Sequence, residues 1–127
     1  MVKEYITGVQ HLGLPTENMK ATREFYGKLG FIPAFETVNE GAEVVFLKLE
    51  NLVVEAYEVS EAAKAVGAID HVAVTVTDVE KVYQEICKLD LNTLQDEIHF
   101  LPFWENGVRF FTIMGPNKEK VEFSQYL

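Results

Sequence analysis

Two short motifs place a histidine at equivalent positions, sixty residues apart, in the two halves of the chain. The segment VQHLG contains His11 and the segment IDHVA contains His71. Later in each half, one glutamate interrupts an apolar run: Glu55 in LVVEAY and Glu122 in KVEF. Imidazole nitrogens and carboxylate oxygens are ordinary ligands of divalent cations. The sequence therefore predicts a divalent metal site made from these four side chains.

The elements that must position these residues also occur twice, in the order strand, helix, strand, strand, strand. In the first half we predict a strand over about 8–14, a helix over about 18–29 and strands over about 34–38, 42–49 and 52–59. In the second half we predict a strand over about 68–76, a helix over about 79–89 and strands over about 93–100, 108–114 and 120–126. Asn18 and Asp78 are the predicted helix caps, because their side-chain oxygens can accept hydrogen bonds from amides of the first turn. The two modules, about 1–59 and 68–127, are joined by a short linker at 60–67. We therefore expect one α+β domain over residues 1–127.

Alternation along the strands predicts where the two glutamates point. Side chains of a strand alternate between its two faces, so Glu55 and Glu122 lie opposite the apolar residues that pack under each helix. Small residues on that polar face, Gly13, Ala73 and Ser124, leave room for a cavity. One histidine or glutamate in a strand is usually structural. However, burying an unpaired carboxylate costs several kcal/mol, so two matched pairs favour a metal site.

Composition limits the classes of partner. The chain has 127 residues, 48% of them hydrophobic, and a formal net charge of −9. A strongly acidic chain is a poor ligand for nucleic acid or an anionic membrane, and no run approaches the roughly 20 apolar residues of a membrane span. We expect a cytoplasmic protein whose partner is a small molecule. The single cysteine, Cys87, has no partner for an internal disulfide and is predicted to be a buried structural thiol.

The four candidate ligands, the doubled module and the length resemble the vicinal oxygen chelate superfamily. This superfamily includes glyoxalase I, fosfomycin-modifying enzymes, extradiol dioxygenases, methylmalonyl-CoA epimerase and bleomycin-resistance proteins. The resemblance covers essentially the whole chain and implies two tandem βαβββ modules that form a cup around a metal ion. In that arrangement His11 pairs with Glu55, and His71 pairs with Glu122.

A ligand set of two histidines and two glutamates most resembles the metal ligands of glyoxalase I. That resemblance implies a lyase or isomerase that moves a proton between adjacent carbons of a hemithioacetal. It implies Ni²⁺ or Zn²⁺ as cofactor, with Co²⁺, Mn²⁺ or iron as alternatives. Glu122 is the implied proton-transfer base and Glu55 its counterpart, and a homodimer with sites shared between two chains is implied as the assembly.

Other branches of the superfamily stay open as alternatives. Glutathione-dependent glyoxalases place an arginine soon after the first histidine and an asparagine soon after the first glutamate, where this chain has Pro15 and Val59. The thiol is therefore left open. The alternatives are a drug- or metabolite-binding protein of the bleomycin-resistance type and another metal-dependent member, such as an epimerase or a thiol transferase.

Three further residues are candidate substrate contacts. His99 falls on a predicted strand near the proposed site, and Arg109 offers a positive charge for a substrate anion. Trp104 belongs to an aromatic run that is a candidate hydrophobic lid over the cavity.

Overall fold

The computed structural model describes residues 1–5, 7, 9–67 and 69–127. These residues form two compact units, Met1–Ala62 and Ala63–Leu127. Each unit is an α+β module with one α-helix and one four-stranded sheet, so the predicted fold class is confirmed.

The first unit begins with a short 3-10 helix, Val2–Tyr5, and continues in the predicted order. Its elements are β1 (Leu12–Thr16), α1 (Met19–Lys28), β2 (Ile32–Asn39), β3 (Ala42–Leu49) and β4 (Leu52–Glu58). The sheet order is β1-β4-β3-β2. β1 runs parallel to β4, and the other neighbours are antiparallel. The parallel pairing brings the first and last strands of the module side by side.

The second unit repeats this topology. Its elements are β5 (His71–Thr75), α2 (Val79–Lys88), β6 (His99–Leu101), β7 (Val108–Met114) and β8 (Lys120–Tyr126). The sheet order is β5-β8-β7-β6, with β5 parallel to β8. The histidine strand again lies beside the glutamate strand.

Both helices begin at the predicted caps. The side chain of Asn18 accepts a hydrogen bond from the backbone N–H of Ala21, and the side chain of Asp78 accepts one from the N–H of Lys81. Each cap satisfies one of the amides that the first helical turn leaves without a partner. The helices therefore start at matching places in the two units.

Each helix covers one face of its own sheet. In the first unit Val45, Leu47 and Ala56 are almost fully buried, and in the second unit Phe111 and Ile113 are. On β4 and β8, the residues that alternate with the buried ones keep part of their surface exposed. Because the helix-facing positions supply the core, the opposite face of each sheet is available for polar side chains.

Two predictions about the second unit are wrong. The strand expected at 93–100 is only His99–Leu101, because the side chain of Asn92 hydrogen-bonds the backbone N–H and carbonyl of Asp96 and folds this segment into a turn. Cys87 is exposed rather than buried. The preceding residue, Ile86, faces the sheet. Because successive helix residues are rotated by about 100°, Cys87 points away from the sheet.

The starts of the two histidine strands also differ from the prediction. β1 begins at Leu12 and β5 at His71. The predicted starting residues, Gly8 and Ala68, lie outside the described residues. Among the described residues, no helix has the length and apolar character needed to cross a membrane.

Candidate metal centre

In the first unit, His11 and Glu55 come together at the parallel pair of strands. His11 immediately precedes β1, and Glu55 lies on β4 opposite Gly13. The distance from His11 Nε2 to Glu55 Oε1 is 3.9 Å, and the two side chains are 31% and 27% exposed. This distance is too long for a hydrogen bond, so the two groups face the same space without bonding to each other.

The imidazole ring of His11 is held by two neighbours. Its Nδ1 lies 2.9 Å from Oε1 of Gln10, and the ring packs edge-on against Phe46 with centroids 5.4 Å apart. Because the amide oxygen of Gln10 accepts a hydrogen bond, Nδ1 carries the proton and Nε2 keeps a lone pair. Nε2 is the atom that faces Glu55.

In the second unit, His71 and Glu122 repeat this arrangement on β5 and β8. His71 Nε2 lies 3.4 Å from Glu122 Oε2, with the side chains 42% and 17% exposed. His71 Nδ1 donates to Oδ2 of Asp70 at 2.9 Å. That hydrogen bond is the largest cause of a lowered pKa at Asp70, and the nearby ammonium of Lys120 adds to it. Asp70 therefore stays ionised and keeps the lone pair of His71 on Nε2.

The sheets place both glutamates on the predicted face. On β4 the neighbours Val54 and Ala56 are buried under α1, and on β8 Val121 and Phe123 are buried under α2. Since strand side chains alternate, Glu55 and Glu122 project from the face that no helix of their own unit covers.

A groove adjoins each glutamate. The groove at Glu55 has a volume of about 460 Å³ and includes Gly13, Val44 and Tyr57 in its wall. The groove at Glu122 has a volume of about 310 Å³ and also exposes His71, Thr112 and Asp96. Glu55 therefore borders space for a small molecule in the first unit, and both His71 and Glu122 border such space in the second.

The geometry of the two pairs fits a divalent cation. Two ligands at about 2.1 Å from one ion, with an angle of 90° to 109° at the ion, lie about 3.0 to 3.4 Å apart. The 3.4 Å separation between His71 and Glu122 meets this value. The 3.9 Å separation between His11 and Glu55 is longer, and a small side-chain rotation brings the two atoms within this range. Metal-binding histidines usually donate their second ring N–H to a carboxylate or carbonyl group, as both histidines do here.

Each unit by itself supplies two donors. Among the described residues, no group of three or more histidine, cysteine, aspartate or glutamate side chains is placed to hold a metal ion. The four-ligand set predicted from the sequence therefore stays a prediction, and it requires one pair from each unit.

The three candidate substrate contacts have different surroundings. His99 lies on the Glu122 face, because its strand partner Phe110 is cross-strand to Ser124. Trp104 is 75% exposed and packs its ring edge-on against Tyr126.

Arg109 lies on the opposite face of the second sheet from Glu122, since it alternates with Phe110 along β7. Its guanidinium donates to Glu80 of α2 at 2.8 Å. The structure therefore places Arg109 as a link between helix and sheet, away from His71 and Glu122.

Residue-type reasoning missed Gln10 and Asp70, which orient the two histidines. A signal for them exists in the sequence, since each histidine is directly preceded by a side chain with an acceptor oxygen. This shared feature of the two motifs indicates that the orienting contact is duplicated along with the ligands.

Replacing Asp70 by asparagine is expected to weaken metal binding by about 10 to 100-fold, the usual effect of removing a partner of a metal-binding histidine. The ammonium of Lys120, 3.5 Å from Oδ1 of Asp70, attracts the oxygen of an asparagine at this position. The N–H₂ group then faces Nδ1 and shifts the proton of His71 to Nε2. Isothermal titration calorimetry with Ni²⁺ measures the effect. The control is Asp90→Asn, which removes the same charge from the loop after α2. Equal affinity of Asp70→Asn and Asp90→Asn would contradict the orienting role.

Comparison with known proteins identifies relatives over nearly the full length. Residues 8–122 match the model of the Glyoxalase/Bleomycin resistance protein/Dioxygenase superfamily. The uncharacterized protein YwbC of Bacillus subtilis (strain 168) is 27% identical over 126 residues, which cover 92% of this chain and 96% of YwbC.

Two solved structures show the same fold. A glyoxalase family protein from Enterococcus faecalis superposes with a TM-score of 0.73 at 19% identity, over 94% of this chain and 98% of that one. The fosfomycin resistance protein FosX from Listeria monocytogenes, complexed with Mn(II) and sulfate ion, gives a TM-score of 0.66 at 14% identity. That match covers 96% of this chain and 94% of FosX.

Proposed function

Because this chain belongs to the Glyoxalase/Bleomycin resistance protein/Dioxygenase superfamily, we propose that it is a metal-dependent lyase or isomerase of the glyoxalase I type. Its substrate is a small molecule with two vicinal oxygens, such as the hemithioacetal of a 2-oxoaldehyde and a thiol. The observation that carries this proposal is the repeated pair, in which a histidine with an anchored Nδ1 turns Nε2 toward a glutamate.

The proposed metal ligands are His11, Glu55, His71 and Glu122. Two imidazole nitrogens and two carboxylate oxygens suit Ni²⁺ or Zn²⁺, and also Co²⁺, Mn²⁺ or iron. When bound, a divalent cation polarises both substrate oxygens and increases the acidity of the neighbouring C–H bond.

Glu122 is the proposed proton carrier. It is the less exposed of the two glutamates, at 17%, and its groove offers space beside the carboxylate. A carboxylate Oε takes the proton from the carbon that bears sulfur and returns it to the adjacent carbon. His71 and His11 hold their positions during this transfer because Asp70 and Gln10 fix the rings.

The proposed assembly is a two-fold homodimer with two equivalent sites. The first unit of one chain supplies His11 and Glu55, and the second unit of its partner supplies the other pair. This proposal is supported by the division of the donors, two per unit, and two-fold symmetry then produces two identical sites.

Metal analysis followed by an isomerase assay tests the proposed function. The purified protein is expected to bind one divalent ion per chain after incubation with Ni²⁺, Zn²⁺, Co²⁺ or Mn²⁺, and then to convert methylglyoxal hemithioacetals of several thiols to thioesters. Glu55→Gln and Glu122→Gln are compared with Glu97→Gln, which removes a carboxylate from a different groove. A protein that binds none of the four ions would contradict the proposal and favour a metabolite-binding protein.

A further inference from the structure

A second histidine and carboxylate pair lies in the second unit, outside the proposed ligand set. Asp96 Oδ1 is 2.7 Å from Nε2 of His99, and Asp96 Oδ2 accepts a hydrogen bond from the backbone N–H of Thr112 at 2.9 Å. The carboxylate is thus fixed at both oxygens. Burial raises the pKa of Asp96, but the hydrogen bonds from His99 and Thr112 outweigh it and the pKa is lowered.

The register of the sheet brings this pair to the face that carries Glu122. Thr112 is cross-strand to Glu122, and His99 is cross-strand to Phe110, two residues before Thr112 on the same face of β7. Asp96 and Thr112 also line the groove that contains His71 and Glu122. The Asp96 carboxylate and the proposed base therefore share one groove.

The hydrogen bond to Asp96 fixes the tautomer of His99. An ionised carboxylate only accepts, so Nε2 carries the proton and Nδ1 keeps a lone pair. The ring also rests against Phe110, with centroids 5.5 Å apart and a tilt of 35°. His99 is therefore oriented to accept a hydrogen bond at Nδ1.

The charges around this groove favour a substrate with a cationic substituent over one with an anionic substituent. Apart from Glu122, which is a proposed metal ligand, its wall holds two carboxylates, Asp70 and Asp96, and one ammonium group, that of Lys120. Lys120 itself lies 3.5 Å from Asp70. Together with the chain's net charge of −9, these groups repel an anionic substituent and attract a cationic one.

We propose that His99, held in place by Asp96, determines substrate specificity by binding the hydrogen-bond-donating end of the substrate, a hydroxyl or ammonium group on the thiol-derived part. The same groove discriminates against thiols that bear a carboxylate. This inference rests on the proposed function, since it assigns the substrate class of that site. His99 touches the substrate, and Asp96 acts through His99 as a positioning residue.

Kinetics with three matched thiols test the assignment. Methylglyoxal hemithioacetals of 2-mercaptoethanol, 1-propanethiol and 3-mercaptopropionate present a hydroxyl, a methyl group and a carboxylate at comparable positions. Wild-type protein is expected to prefer the hydroxyl adduct over the carboxylate adduct by about tenfold or more in kcat/KM, through KM rather than kcat. His99→Phe should remove the advantage of the hydroxyl adduct over the 1-propanethiol adduct.

Asp96→Asn gives a readout that a merely structural role would not produce. The asparagine N–H₂ group donates to Nε2 and moves the proton of His99 to Nδ1, so the hydroxyl preference should fall or reverse. Nitrogen-15 NMR of the imidazole follows this change of tautomer directly. Glu97→Gln, which removes a carboxylate outside this groove, should leave both the preference and the tautomer unchanged.

Binding of unreactive thioethers separates this inference from the proposed function. Calorimetry compares the 2-hydroxyethyl and 2-carboxyethyl thioethers of acetone (CH₃COCH₂S–R), with and without metal, on wild type and His99→Phe. Tighter binding of the hydroxyethyl compound, lost in His99→Phe, supports the pair even if no metal binds. Equal binding of the two compounds, or no binding of either, overturns the specificity assignment, whereas failure to bind metal overturns only the proposed function.

Discussion

Replacement of Glu122 by glutamine is expected to lower turnover about a thousandfold or more and to leave metal affinity within about tenfold of wild type. A glutamine side chain keeps an oxygen that can bind a cation, but it has no basic oxygen to take a carbon-bound proton. Loss of a general base costs about 10²- to 10⁴-fold in rate. Steady-state kinetics and Ni²⁺ calorimetry on the same preparation separate the two effects.

The matched comparison for this prediction is Glu55→Gln, which changes the equivalent residue in the first unit. If Glu55 is a ligand without the proton-transfer role, its variant should lose less turnover than Glu122→Gln at equal metal occupancy. Full activity of Glu122→Gln on the best wild-type substrate would show that the base has been assigned incorrectly and would favour a binding or transport role.

Alanine at either histidine is expected to abolish metal binding, and mixing the two variants should restore part of it. His11→Ala and His71→Ala each remove an imidazole that no other side chain of its unit replaces. In a two-fold dimer with shared sites, a mixed dimer has one site in which both histidines are replaced by alanine. Its other site keeps both histidines and is intact. Random exchange of subunits should therefore recover about a quarter of the wild-type metal content.

The mixing experiment is read by metal analysis after joint refolding or exchange, with each variant alone as control. Recovery near a quarter supports sites shared between chains. No recovery, in a mixture that native mass spectrometry shows to contain mixed dimers, would mean that each site belongs to one chain.

The repeated module could be predicted from the sequence because the local preferences of its residues agree with their tertiary packing. Asn18 and Asp78 start both helices as predicted, and alternation along β4 and β8 correctly placed Glu55 and Glu122 opposite the buried residues. Hydrophobic period and cap chemistry are local properties, so one sequence can reveal them.

The errors arise where one side chain decides between competing local structures. The apolar and polar alternation of 93–100 favours a strand, but the hydrogen bonds of Asn92 to the backbone of Asp96 form a turn in most of it. This turn also brings Asp96 to His99 and Thr112. The pair was missed because its members depend on that turn, and residue type alone does not indicate it.

Arg109 illustrates a different limit. Its charge suggested an anion contact, but its place on β7 between Val108 and Phe110 puts it on the helix side, where Glu80 neutralises it. The strand was predicted with the correct bounds, 108–114, but both of its faces carry apolar side chains. The pairing of β7 with β8 was therefore needed before the face of Arg109 could be assigned.

X-ray absorption spectroscopy of the Ni²⁺-loaded protein identifies the ligands of the metal ion. The chain has three histidines, and we predict that two of them, His11 and His71, bind each nickel ion together with carboxylate oxygens. Imidazole scattering should therefore correspond to two rings per ion in wild type and in His99→Phe. A nickel ion with one imidazole ligand or none would contradict the proposed site.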